Sequence, residues 1–275
     1  MEDFEIIDAH VHLSRTIEEE AENWPRPGRR ECELYGTPEG ALSYMDMAGI
    51  SKMAVMNLVP RQFRASLADR AKLSGLPEDR RRAEEERIAQ QVGPLVREFN
   101  EWGCETGRRF PRFIPFICVS RELGDARAIV DEVVLRAKQG ARGVKLHPAM
   151  FRLFPYDREL WPMYARCQEL GLPLLADSAP LTRLRVLAMY PYSFDLNDYR
   201  PPVEYGEPEN FAPVLEEFPR LTLILAHLGA PWWDERIDLA RAIRMCTSTP
   251  PRASQRRTNC QSTRTAVSLK RTRSA

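Results

Sequence analysis

Short apolar runs alternate with longer amphipathic stretches along most of the chain. Six runs have the character of strands: Phe4–Ala9, Met53–Val59, Phe113–Ser120, Gly143–His147, Leu172–Asp177 and Leu221–His227. Several are apolar almost throughout, the pattern of parallel strands covered on both faces. Between them, Thr37–Gly49 opens with Thr as N-cap, Pro at N1 and Glu next, and closes on a glycine, which predicts a helix. Asp79–Thr106, Leu123–Lys138, Glu159–Leu170 and Asn210–Phe218 are predicted helices too; in Leu123–Lys138 the residues Ile129, Val133, Val134 and Ala137 recur at helical spacing. Strand then helix, six times over, predicts right-handed βα units on a parallel sheet. An open doubly wound sheet and a (β/α)8 barrel both satisfy that order. No glycine-rich phosphate loop follows the first strand, which ends instead in a histidine pair, and this favours the barrel.

Two connections are long. One spans 13–36, after the first strand; the other spans 181–209, after the fifth, and is rich in Pro, Tyr and Asn. Loops of such length are functional or disordered. In a barrel both lie at the carboxyl ends of strands, where active sites are built. The aromatic residues Trp232 and Trp233, and those of the 190–205 segment, are candidates to line a substrate pocket or simply to pack.

Charge divides the chain unevenly. The net of +1 combines about −6 over residues 1–244 with +7 over 245–275, where seven basic side chains meet no Asp or Glu and eleven of 31 residues are Ser or Thr. Such a tail cannot bury enough apolar surface to offset its ordering entropy and is expected to be disordered. The acidic body offers no nucleic-acid surface. No apolar run approaches the ~18 residues of a membrane helix, so neither nucleic acid nor membrane is an expected partner. The opening MEDFEIIDAH lacks the basic-then-apolar order of a signal peptide. The six cysteines, with no CxxC among them, are therefore expected to be reduced thiols of a cytoplasmic protein.

The chemistry gathers at the histidines. The whole chain has four, His10, His12, His147 and His227, each at or near the carboxyl end of a predicted strand. In an extended segment His10 and His12 point to the same side, so both imidazoles can converge on one ion. Asp8, two residues earlier, could orient a ligand through its other ring nitrogen. Lys145 and His147 share a face; there Lys145 could bind a substrate carboxylate, serve as a carbamylated ligand, or sit as a solvated strand-end lysine. His227 ends an apolar strand and needs a partner, for which a metal is suited. Asp177, in the same place on strand five, could ligate the ion, act as a base, or cap a helix with Ser178.

These residues carry a family resemblance. The stretches IIDAHVHL (6–13), GARGVKLHP (140–148), LGLPLLADS (170–178) and the run 205–231 containing AHLG resemble the amidohydrolase-related family of the metal-dependent hydrolase superfamily, over roughly residues 4–243. The resemblance implies a TIM-like barrel with a divalent metal, zinc first and manganese second, at its mouth. It implies hydrolysis of a small carboxylate-bearing amide, ester or lactone by metal-activated water, with non-oxidative decarboxylation as the alternative. It gives His10, His12 and His227 metal or active-site roles and sets Lys145 and His147 at the edge of the site. Together with the residue readings above, the candidates are His10, His12, His227 and Asp177 for the metal, Asp177, His147 and Lys145 for catalysis, and Lys145, His147 and Trp232 for substrate binding.

Two departures stand out. Where the family usually has a histidine on strand five, this chain has Asp177, which changes the charge of the site. The family also draws a metal-binding, general-base aspartate from strand eight, and no aspartate follows Asp238 here. The expected architecture is therefore residues 1–243 as a barrel lacking its last one or two βα units, and 244–275 as a disordered Ser/Thr/Arg-rich tail. Open sheet edges beside strands one and six would then invite a homo-oligomer. Loss of the base allows a catalytically dead shell as a third outcome. Reading Ile243–Ser254 in a shifted frame permits Pro-Asn-Val-Tyr-Val-Asp-Thr-Ser, a sequence like the family's strand seven, so a frameshift near residue 243 is expected. Resequencing the gene across that region should recover such a strand in another register; its absence from every register would refute the frameshift.

Overall fold

Parallel pairing governs the architecture. The computed structural model describes residues 5–23, 36–57, 76–151, 153–178, 204–229 and 233–247. Within them six strands form one sheet in chain order: β1 Ile7–Val11, β2 Lys52–Asn57, β3 Phe113–Val119, β4 Gly143–Leu146, β5 Leu174–Ala176 and β6 Leu223–Leu225. Every neighbouring pair is parallel. The sheet curls into part of a TIM-like barrel, with the helices that connect its strands packed outside. All six expected strands are present, with β1 starting three residues later and ending two residues later than expected, so that it contains His10. The expected tail from 248 onward, and Trp232, lie outside the described residues.

The helices follow local chemistry. Helix α1 is Ile17–Asn23, inside the segment that the sequence suggested was simply a long loop. Helix α2, Pro38–Ala48, is capped by Thr37, whose side chain accepts from the Gly40 N–H, and it stops at Gly49 in a left-handed turn with φ 67°. Helix α3, Glu78–Arg109, has 32 residues, roughly 48 Å at 1.5 Å per residue. Helix α4, Ala126–Lys138, is capped by Asp125 through the Ala128 N–H. The short α5, Pro148–Phe151, is followed by α6, Trp161–Leu170, α7, Ala212–Glu217, and α8, Trp233–Thr247. Helix α8 continues past the boundary expected at residue 243.

Strand alternation sorts side chains into two cores. Outward positions such as Ile117, Val119, Val144, Leu146, Leu174 and Ala176 pack with Phe99 of α3, Val133 of α4 and Tyr164 of α6. Inward positions Ala54, Met56, Phe116, Leu175 and Ala226 form a smaller plug, with Ile114 against it. A side chain at Gly143 would overlap the Phe116 ring, since a Cβ there would lie 2.2 Å from Phe116 Cε1. Glycine at 143 therefore lets a neighbouring aromatic fill the barrel floor.

Helix α3 is held to the sheet by polar contacts. Asn100 reaches the β3 backbone with both ends of its amide: Nδ2 donates to Cys118 O at 3.0 Å, and Oδ1 accepts from the Cys118 N–H at 2.8 Å. Its Nδ2 also donates to buried Glu132 of α4, which takes the Arg136 guanidinium at 2.9 Å. A buried pair of this kind is costly to break because the surviving charge would be stranded.

Filling the space beneath the Phe116 ring should be destabilising. Gly143→Val is expected to cost about 1–3 kcal/mol of folding stability through overpacking, read from urea unfolding midpoints; an unchanged midpoint would show that the ring has room to move.

Candidate active site

The same alternation that builds the plug sets the layer above it. His10 and His12 on and just after β1, Lys145 on β4, His147 just after β4, Asp177 just after β5 and His227 just after β6 all come together at the carboxyl ends of the strands. The His10 and His12 rings lie 5.1 Å apart between centroids, and His10 and His227 5.2 Å apart. Six of the seven residues singled out by the sequence therefore meet in one place. Trp232, the seventh, lies outside the described residues.

Asp177 is the hub. Its Oδ2 stands 3.0 Å from His227 Nε2, 3.4 Å from His147 Nε2 and 3.7 Å from Lys145 Nζ. Burial by itself would push its carboxyl toward the neutral form, but His147, the hydrogen bond from His227 and the Lys145 ammonium outweigh that and hold it well below the usual carboxylate range. Asp177 is thus a buried, ionised carboxylate. Ser178 beside it is fully buried and donates its hydroxyl to the Ala226 carbonyl, tying β5 to the turn that carries His227. The sequence offered that serine only as part of a helix cap, because its actual partner is a backbone atom 48 residues away.

His227 holds its position at a conformational cost. Its φ of 58° is the one positive value at a non-glycine among the described residues. A left-handed conformation of this kind costs roughly 1–2 kcal/mol and persists where packing over-determines it, often at functional sites. Here it turns the imidazole back over the mouth onto Asp177, with the side chain 34% exposed.

The two β1 histidines are neutral bases. Burial, then the Lys145 charge, lowers His10 to about 3, and the same two causes lower His12 to about 3. His12 Nδ1 lies 3.3 Å from the Met56 carbonyl oxygen. A carbonyl only accepts, so Nδ1 carries the proton and Nε2 the lone pair. This is the outer hydrogen bond that typically orients a metal-bound imidazole. Asp8 does not play that part: its Oδ1 accepts from the His10 backbone N–H at 3.1 Å, fixing the strand and not the ring.

Lys145 is 0% exposed, with its Nζ 3.4 Å from His10 Nε2. It is a buried ammonium within the cluster, in contrast to the solvated strand-end lysine weighed from sequence. The donor chemistry, neutral imidazole nitrogens and one carboxylate, suits zinc or manganese. Among the described residues, however, no three His, Cys, Asp or Glu side chains are gathered ready to hold an ion. The hydrogen-bonding atoms face one another and Lys145 instead.

The described thiols Cys104, Cys118 and Cys167 are buried in the outer core. Burial pushes Cys118 and Cys167 up to about 12, so both stay protonated core residues. No helix among the described residues is long and apolar enough to cross a membrane.

Comparison with known proteins follows the fold. A family model described as an amidohydrolase matches residues 7–271. Among solved structures, the chain is similar to an uncharacterized TIM-barrel protein from Bordetella bronchiseptica, with 18% identity and a TM-score of 0.55, covering 86% of this chain and 72% of that one. It is also similar to a 5-carboxyvanillate decarboxylase from Sphingomonas paucimobilis, with 15% identity and a TM-score of 0.55, covering 91% and 76%. A third is the 5-carboxyvanillate decarboxylase of Novosphingobium aromaticivorans, solved with manganese and 4-hydroxy-3-methoxy-5-nitrobenzoic acid. It shows 14% identity and a TM-score of 0.55, covering 88% and 70%. No curated protein matches the chain.

The neutral imidazoles make the metal-free protein acid-sensitive. Above pH 6.5 they are uncharged in both folded and unfolded chains; between 6.5 and about 3 only the unfolded chain takes up their protons. Stability is therefore full above that window and lost as pH falls through it. Thermal unfolding should show a flat melting temperature above pH 6.5 and a steady fall below it, shallower in His12→Asn. A His12→Asn profile as steep as that of the parent would rule out this origin.

Proposed function

The chain belongs to the amidohydrolase family, and on that footing we propose that it is a metal-dependent hydrolase of a small carboxylate-bearing amide, ester or lactone. The observation that carries the proposal is the convergence of His10, His12, His227 and Asp177 at the strand ends, with a buried lysine among them. His10 and His12, kept neutral, would hold a divalent ion, with Asp177 as the carboxylate partner. Bound there, the ion would supply Lewis acidity and ease ionisation of water.

The remaining chemistry is that of the chain's own groups. Among the residues gathered at the strand ends, two could take a proton from water, Asp177 and His227. Asp177 is held too acidic to be an efficient proton acceptor near neutral pH. His227, more open to the mouth and paired to Asp177 at 3.0 Å, is better placed. Its Nε2–H is held by the carboxylate, so Nδ1 is the nitrogen that takes the proton of the attacking water. Asp177 stabilises the resulting imidazolium, and the same proton then passes to the leaving nitrogen or oxygen. The Lys145 ammonium gives this pocket a positive bias that suits a substrate carboxylate, with His147 beside it.

A second reading is non-oxidative decarboxylation. It is favoured by two similar structures being 5-carboxyvanillate decarboxylases, one of them with manganese bound. The same imidazole, once protonated, would then deliver a proton to the carbon that loses carbon dioxide. Zinc and manganese are both suited to the donor set.

Turnover of a panel of carboxylate-bearing amides, esters, lactones and aromatic acids in ¹⁸O-labelled water separates the readings. Hydrolysis places the label in a product carboxylate, whereas decarboxylation releases carbon dioxide and leaves the organic product unlabelled. His227→Ala is expected to lower kcat by about 10²–10⁴-fold with metal content unchanged, whereas His12→Ala should lose the metal. Full kcat in His227→Ala would remove it from the proton-transfer role.

A further inference from the structure

We infer that the Lys145 ammonium is a resident cation standing where His10 and Asp177 would meet a divalent ion, so that this contact and metal loading exclude one another. The inference rests on the metal-centre reading above and extends it to how the centre is held when no ion is present.

Three observations carry it. Lys145 is 0% exposed, so its charge must be answered from within the protein. Its Nζ lies 3.4 Å from His10 Nε2 and 3.7 Å from Asp177 Oδ2, on strands β1 and β5 from opposite sides of the sheet segment that carries it. An ammonium has only donors, so at His10 it takes up the ring lone pair, the same electrons that a metal would use. The Lys145 ammonium and the Asp177 carboxylate offset one another within the cluster.

Coulomb repulsion makes the two cations alternatives. An ammonium and a divalent ion a few ångströms apart in a water-poor pocket repel far more strongly than two exposed charges would. The entering ion must therefore break the Lys145 contacts with His10 and Asp177. The flexible four-carbon stem of lysine permits that movement without a change in the backbone. Once displaced, the ammonium is the cation available to a substrate carboxylate. Arginine would keep the charge, whereas methionine or glutamine would fill the space without it.

Calorimetric titration of Mn²⁺ into chelator-stripped protein tests the inference. Removing a competing charge should tighten binding, so Lys145→Met and Lys145→Gln are each expected to bind Mn²⁺ about tenfold or more tightly than the parent. Lys145→Arg should stay within about threefold of it, since the charge is retained. Equal or weaker binding in both neutral variants would overturn the inference. Parallel titrations of His12→Ala and Asp177→Asn separate the underlying reading, since Mn²⁺ binding unaffected by both changes would sink the metal centre itself and the inference with it.

A measurement on the unaltered chain guards against variants that fail to fold. The sequence has five lysines, few enough for ¹³Cε-lysine spectra to be resolved, with Lys145→Arg assigning the buried signal. Saturating Zn²⁺ should move the Lys145 resonance and leave that of Lys138 in place. A Lys145 signal unmoved at saturation would overturn the inference.

Discussion

The site is organised around one buried negative charge. Asp177 brings a carboxylate to the end of β5, where it is 5% exposed, and an isolated anion there would be prohibitively costly. Its Oδ2 is answered by His227, His147 and Lys145, which reach it from β6 and β4. Each of these contacts also locates a group of chemical interest. Removing the carboxylate would strand a buried ammonium and leave the strained His227 backbone without the bond that offsets its cost. Asp177 therefore determines the charge state of the cluster and the aim of its rings together.

That hub depends on a rigid frame. Parallel register places Cys118 beside Lys145 and Leu175 beside Ile224, so inward positions rise in level layers from the Phe116 plug to the histidines. Gly143 yields its space to the Phe116 ring, one residue pair below Lys145. Outside, Asn100 clamps α3 to the β3 backbone, and the Glu132–Arg136 pair joins α4 to the same network. The edges β1 and β6 are less complete: Ile7 is 48% exposed and Ile224 37%.

Much of this was legible along the chain. Helix α2 was readable to its caps, because Thr37, Pro38 and Gly49 act through backbone geometry within a few residues. The strands were readable from apolar runs, although β1 begins three residues later than expected. Helix α1 was not seen, since Ile17–Asn23 is mostly acidic and lacks an apolar face to announce it. At the site, four histidines near strand ends and Asp177 on strand five were enough to name the participants. What they do to one another was not legible. Asp8 seemed suited to orient an imidazole, but its nearest donor is the backbone N–H two residues on.

The sequence by itself determined the order of βα units and the face that each histidine shares with its strand neighbours, because these follow from local periodicity; its motifs carried the resemblance to the amidohydrolase family that the family model bears out. The tertiary structure alone decided that Lys145 is buried against His10 and Asp177, that His227 is held by the carboxylate in a left-handed conformation, and that Ser178 ties the two strand ends together. Those outcomes are set by distance in space between residues up to 135 positions apart, and by the desolvation that makes every buried charge find its partner.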